Sequence, residues 1–200
     1  STSQRLEPIE EVIIDVDEEH SGAVVQKLTE RKGDLLEMRP SGGGRQRLVF
    51  HVPTRGLIGY QGELLTDTRG TAVMNRLFNS YAVHKGDIPG RRNGVLISNS
   101  DGDAVAYALF NLEDRGPLMV EPQDKVYQGM IVGQHTREND LEVNVLKAKK
   151  LTNVRASGKD ENINLSPPMK MPLERALSYI QDDELVEITP KSVRMRKRWL

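Results

Sequence analysis

The sequence predicts an α+β protein in two parts, a βαββαβ unit followed by a mostly β, small barrel-like region with one helix. Three observations carry this. Through residues 1–83, apolar residues alternate between period two and helical spacing, in the order strand, helix, strand, strand, helix, strand. From residue 84 onward, short apolar runs are separated by turn dipeptides. One late stretch, after Pro172, returns to helical spacing.

Taking the elements in order, Val12, Ile14 and Val16 alternate with Ile13 and Asp15, the pattern of a half-buried strand. Ser21 stands where it would cap a helix over 22–32, with Val24, Val25 and Leu28 as its apolar face and Gly33 as a left-handed stop. Residues 35–39 form the second strand. Ser41-Gly42-Gly43-Gly44 is a hairpin turn, and 47–52 returns with Leu48, Phe50 and Val52 on one face. Pro53 ends it. Residues 57–67 read as a second helix through Leu57, Ile58, Leu64 and Leu65, with Gly70 past its end. Residues 71–82 make the fourth strand. This order is that of a ferredoxin-like domain.

Residues 84–94 contain Gly86, Pro89, Gly90, Arg91 and Arg92 and read as a linker or exposed loop, placing the boundary between domains 1–83 and 84–200. Beyond it, strands are expected at 95–98, 105–112, 119–120, 126–132 and 141–149, with Asp101-Gly102 and Arg115-Gly116-Pro117 as turns. Pro172 opens the single helix, through Leu173, Ala176, Leu177 and Ile180, and 185–188 is a further strand.

Composition excludes several function classes. With 28% charged residues and a mean hydropathy of −0.52, the 200-residue chain is expected to be soluble, without a membrane association. No apolar run approaches the ~18 residues of a membrane span, and no signal peptide is evident. A start at Ser1-Thr2-Ser3 without Met suggests a piece of a longer protein. The absence of cysteine excludes disulfides and thiolate chemistry and suits the cytoplasm. There is no Gly-x-x-x-x-Gly-Lys-[Ser/Thr] phosphate loop and no Gly-x-Ser-x-Gly. His20, His51, His84 and His135 share no metal-ligand spacing. No catalytic residue, metal site or cofactor is therefore assigned, and the segment is expected not to be an enzyme. Asp182-Asp183-Glu184 has the chemistry for Mg²⁺ but reads as a solvated acidic turn. Gly56-Leu57-Ile58-Gly59 matches the Gly-x-x-Gly of KH modules, yet reads as a helix start with close strand contact at Gly56, Gly59 and Gly62.

Two basic clusters stand out although the net charge is only −1. On the 141–149 strand, the face carrying Leu141, Val143 and Val145 continues as Lys147 and Lys149, so the strand leaves the core. Lys150, Asn153, Arg155, Ser157, Gly158 and Lys159 follow within a long polar loop, 147–166. Lysine and arginine supply phosphate contacts, while Asn, Ser and Gly permit close backbone approach. A merely solvated loop is the alternative. The second cluster is Lys191, Arg194, Arg196, Lys197 and Arg198, with Trp199 as a stacking platform. Val193 and Met195 alternate with the basic residues, so one edge packs while the other faces out. The alternative is a plain charged C-terminal strand. Arg31, Lys32, Arg45, Arg47 and Arg55 are weaker RNA-binding candidates in the first domain.

Longer strings carry a resemblance. Glu7-Pro8-Ile9-Glu10, Arg55-Gly56-Leu57-Ile58-Gly59-Tyr60 and Thr68-Arg69-Gly70-Thr71 resemble domain V of the elongation factor G class. Val126-Tyr127-Gln128-Gly129-Met130-Ile131-Val132-Gly133, Asn139-Asp140-Leu141 and Leu151-Thr152-Asn153-Val154-Arg155-Ala156-Ser157-Gly158 resemble the BipA/TypA family, and Ser166-Pro167-Pro168 and Asp182-Asp183-Glu184-Leu185-Val186-Glu187 continue the pattern. The resemblance implies the C-terminal part of a ribosome-associated translational GTPase linked to stress, virulence, cold growth and large-subunit assembly. Its GTP and Mg²⁺ would belong to an N-terminal G domain outside this segment. It implies a cytoplasmic monomer that contacts large-subunit rRNA. Residues 151–166 would reach toward the A site and the acceptor end of tRNA, and the family's tail would extend past Leu200. A stand-alone RNA-binding module acting off the ribosome is the other reading.

Overall fold

The computed structural model describes residues 4–148 and 163–200, which divide into two compact units, 1–89 and 90–200. In the first, β1 (Leu6–Asp17), α1 (Glu18–Glu30), β2 (Asp34–Gly42), β3 (Arg45–Pro53), a 3₁₀ turn (Thr54–Leu57), α2 (Tyr60–Asp67) and β4 (Val73–Val83) follow in order. The sheet runs β2-β3-β1-β4, antiparallel throughout, which is the ferredoxin-like arrangement. Val12, Ile14 and Val16 meet Leu48, Phe50 and Val52 on the covered face, and Val24, Leu28, Tyr60 and Leu64 of the helices close the core.

Helix α1 starts earlier than Ser21. Asp17 is its N-cap, and Glu18 and Glu19 occupy the first turn, where negative charge suits the helix dipole. Ser21 lies inside, its hydroxyl donating to Glu18 O at 2.7 Å. The left-handed residue at the far end is Lys32, φ 66°, not Gly33. Gly33 is needed for proximity, because its N–H donates to Leu28 O at 2.7 Å and a Cβ there would lie 2.8 Å from that oxygen. The second helix is split. Gly59, at φ 71°, separates the 3₁₀ turn from α2.

The second unit contains β5 (Val95–Ser98), β6 (Gly102–Asp103), α3 (Ala106–Leu112), a 3₁₀ turn (Glu113–Arg115), β7 (Lys125–Val126), β8 (Ile131–Gln134), β9 (Leu141–Val143), α4 (Leu173–Tyr179), β10 (Glu184–Ile188) and β11 (Val193–Lys197). Its strands form three small sheets, β8-β5-β9, β10-β11 and β6-β7. Every residue of β5 is buried, because Leu96 packs into one core with Leu109, Val126 and Val132 while Val95 and Ile97 pack into another with Ile131, Ala176 and Met195.

Four expected strands change form here; residues 119–120 form no strand, only an isolated bridge between Leu118 and Gly133 standing beside them. Residues 105–112 are helix α3 rather than a strand. The run is apolar at nearly every position, so periodicity could not decide between the two. Residues 126–132 break at Gly129, φ 87°, into β7 and β8. Residues 141–149 leave strand geometry after Val143, where the Asn144 side chain accepts the Leu146 N–H at 2.8 Å and turns the chain. Among the described residues the unit therefore has two short α-helices where one was expected, within an otherwise β-rich architecture.

Candidate nucleic-acid interface

The β10–β11 hairpin pairs Glu184 with Lys197, Leu185 with Arg196, Val186 with Met195, Glu187 with Arg194 and Ile188 with Val193. Alternation along β11 sends Met195 into a core, with Val193 packed against it, and turns Arg194 and Arg196 the other way. The hairpin is anchored from behind, since Arg196 bridges Met130 and the Lys197 N–H donates to Gly129 O at 2.9 Å.

Lys197 falls on the buried side, which corrects its grouping with the RNA-binding cations. Its ammonium lies 2.5 Å from Asp140, 2.9 Å from Asp183 and 2.9 Å from Glu184. Burial alone would lower its pKa, but the bonds to these three acids outweigh that and raise it. Its charge is therefore satisfied inside the fold and unavailable to phosphate.

Glu184, the third acid of the supposed solvated turn, has a fully buried side chain. It accepts from both terminal nitrogens of Arg91, one at 2.6 Å, as well as from Lys197 and from the Gln181 N–H at 3.0 Å. Burial pushes its carboxyl up, and the Arg91, Lys197 and Gln181 bonds bring it below the usual range. Arg91, expected in an exposed linker, also stacks 4.6 Å from the Tyr179 ring centre and donates to Tyr179 O at 2.8 Å. Among the described residues no group of acids and histidines has metal-holding geometry.

The outward face is a mixed cationic surface. Arg194 and Arg196 are half-exposed, and Lys191 in the β10–β11 turn and Arg198 are exposed, whereas Trp199, 82% exposed, lies on the Lys197 side with Asp140, Glu142 and Asp183. Tyr127, which the sequence reading left out of the site, donates its hydroxyl to Glu187 on the outward face. Of the loop candidates, Lys147 is exposed. Lys149, Lys150, Asn153, Arg155, Ser157, Gly158 and Lys159 lie outside the described residues.

The arginines among the weaker candidates in the first unit are committed to its own architecture. Arg31 donates to Gly56 O (2.8 Å), Ile58 O (3.0 Å) and Glu63 (2.9 Å). Arg45 binds Asp17, Asp15 O and Thr71 O, each at 3.0 Å. Arg47 makes a two-point pair with Asp15, both bonds 3.1 Å. Arg55 pairs with Glu7, which is buried, and donates to Gly86 O at 2.5 Å. Lys32 supplies the left-handed position after α1, and its carbonyl accepts from Lys85. The Gly-x-x-Gly segment is equally occupied, since Arg31 takes the carbonyls of Gly56 and Ile58. Gly56 is a close-contact glycine and Gly59 a left-handed one, but Gly62 has open space around it.

Residues 93–200 match the family described as the TypA/BipA C-terminal domain, and residues 4–92 match the elongation factor G C-terminus. The chain belongs to the TypA/BipA family. Among curated BipA proteins, it is 54% identical over 198 residues to one from Salmonella typhimurium, 51% over 198 to one from Haemophilus influenzae and 48% over 197 to one from Bacillus subtilis. Each alignment covers 98% of this chain. The chain spans about a third of the length of these BipA relatives, 33% of the first and 32% of the other two. All three are named large ribosomal subunit assembly factor.

Proposed function

We propose that this BipA region anchors a translational GTPase to the large ribosomal subunit through contacts with RNA phosphates, and that it carries out no chemistry itself. The observation that carries the reading is the β11 strand, whose back is pinned in the core while Arg194 and Arg196 face outward and Lys191 and Arg198 are exposed. A rigid strand presenting guanidinium groups suits the RNA backbone. Lys147 begins a second contact that continues through Lys149, Lys150, Asn153, Arg155, Ser157, Gly158 and Lys159 and extends toward the A site and tRNA. The relatives' name supports the large subunit as partner. In the longer protein, GTP and Mg²⁺ would bind outside this segment, and ribosome contact here would make hydrolysis ribosome-dependent. The region works as a cytoplasmic monomer with a role in the stress response.

Co-sedimentation with large subunits across a salt series tests this. With about five phosphates contacted, log affinity should fall against log salt with a slope of about −3.5 to −4.5. Neutralising Lys149, Lys150, Arg155 and Lys159 together should weaken binding and flatten the slope. Unchanged sedimentation would remove the loop from the interface. Equal affinity for unrelated structured RNA would point to a module acting off the ribosome.

A further inference from the structure

An acid stands in the middle of the proposed phosphate-binding face. Glu187 is cross-strand from Arg194 and diagonal to Arg196, where its charge should repel the RNA backbone. Both of its oxygens are engaged. One accepts from Arg196 Nε at 2.7 Å, and the other accepts from the Tyr127 hydroxyl. Arg196 is held at a second point, where Nη1 donates to the Lys197 carbonyl at 3.1 Å. The guanidinium is thus fixed from two sides, by a carboxylate on β10 and by the backbone of its own strand, while the side chain stays a third exposed. Tyr127 lies just past β7 and ties the carboxylate to a different part of the fold.

We propose that Glu187 is a positioning residue, which pre-sets Arg196 in a single orientation for one phosphate of the ribosomal RNA; this rests on the reading of β11 as an RNA-binding strand. A free arginine on a strand must lose side-chain freedom when it binds, which weakens binding by about two- to tenfold per ordered side chain. Holding the guanidinium in advance removes that loss. The local cost is one negative charge, already balanced by the arginine it holds.

The two roles open to Glu187 predict opposite signs, so its removal is decisive. Large-subunit binding would be measured for Glu187→Ala, Arg196→Ala, the double variant and Tyr127→Phe, with thermal melting of each as a fold control. Glu187→Ala should bind about two- to tenfold more weakly with little change in salt slope, since the same phosphate is still contacted. It should have no further effect, or a slight gain, when Arg196 is already alanine. Tyr127→Phe, which keeps the ring and loses only the hydroxyl anchor, should weaken binding in the same direction by less. Glu187→Ala binding as tightly as the unmodified chain or more tightly, while Arg196→Ala weakens it, would overturn the positioning role alone. Arg196→Ala without effect would overturn the phosphate-binding reading of β11 and this inference with it.

Discussion

Glu184 is held by donors from three directions: Arg91 ahead of β5, the Gln181 N–H after α4, and Lys197 on β11. A buried carboxylate in such a site is costly to disturb, because removing one partner leaves the others charged and desolvated. Arg91→Ala or Glu184→Ala should therefore destabilise the second unit by about 3–5 kcal/mol, as measured by denaturant unfolding. The same site sets a pH dependence. The Glu184 carboxyl is depressed in the fold, so its stabilisation is complete above the unfolded carboxylate range, about 4.3, and is lost as pH falls through the folded value. Acid unfolding should begin below about pH 4 and should be less steep in Glu184→Gln; identical acid profiles would remove this carboxylate as the cause. Which of the three acids is buried was not legible in Asp182-Asp183-Glu184, since three adjacent acids carry no sign of which one turns inward. Lys197 hid its role for the same reason. Alternation along β11 put it on the Met195 side, but five cations in an eight-residue stretch read more readily as one charged face.

At the scale of elements, patterns with a clear period could be read and uniform ones could not. β1 and β3 alternate between buried and half-buried residues, and the βαββαβ order followed from sequence. Residues 105–112 offered no contrast between periods; helix α3 buries Ala108 and Leu109 and leaves Phe110 exposed. Gly56 was legible as a close approach to a strand, but its approach to the end of α1 was not. A Cβ on Gly56 would meet the Arg31 carbonyl at 2.4 Å and the Val52 side chain at 3.3 Å, where the 3₁₀ turn crosses the end of α1. Gly56→Ala should therefore force that crossing apart and cost about 1–3 kcal/mol. Gly62→Ala, in open space within α2, should be neutral or stabilising, since alanine favours a helix over glycine by about 1 kcal/mol. Comparable melting temperatures for the two variants would contradict the crossing as the reason for Gly56.

For the whole molecule, the candidate RNA-binding cations are placed differently in the two units. The first unit buries one continuous core under its sheet, and Arg31, Arg45, Arg47 and Arg55 brace it through carboxylates and backbone carbonyls. The second unit has its own two cores and turns Arg91 and Lys197 inward, while Lys147, Lys191, Arg194, Arg196 and Arg198 reach the surface. Each unit thus encloses its own buried apolar residues, and each should fold when produced alone, residues 4–89 and 90–200 giving separate cooperative melts. The division also predicts where ribosome affinity resides. If phosphate contacts dominate, 90–200 alone should keep most of the binding and nearly the full salt slope of the 200-residue chain. The 4–89 piece should bind weakly, because Arg31 and Arg45 have both terminal nitrogens engaged inside the fold and must release them before they can meet a phosphate. Strong, steeply salt-dependent binding by 4–89 would mean that those arginines exchange their carboxylate partners for RNA, and the assignment of the interface to the second unit would then fail.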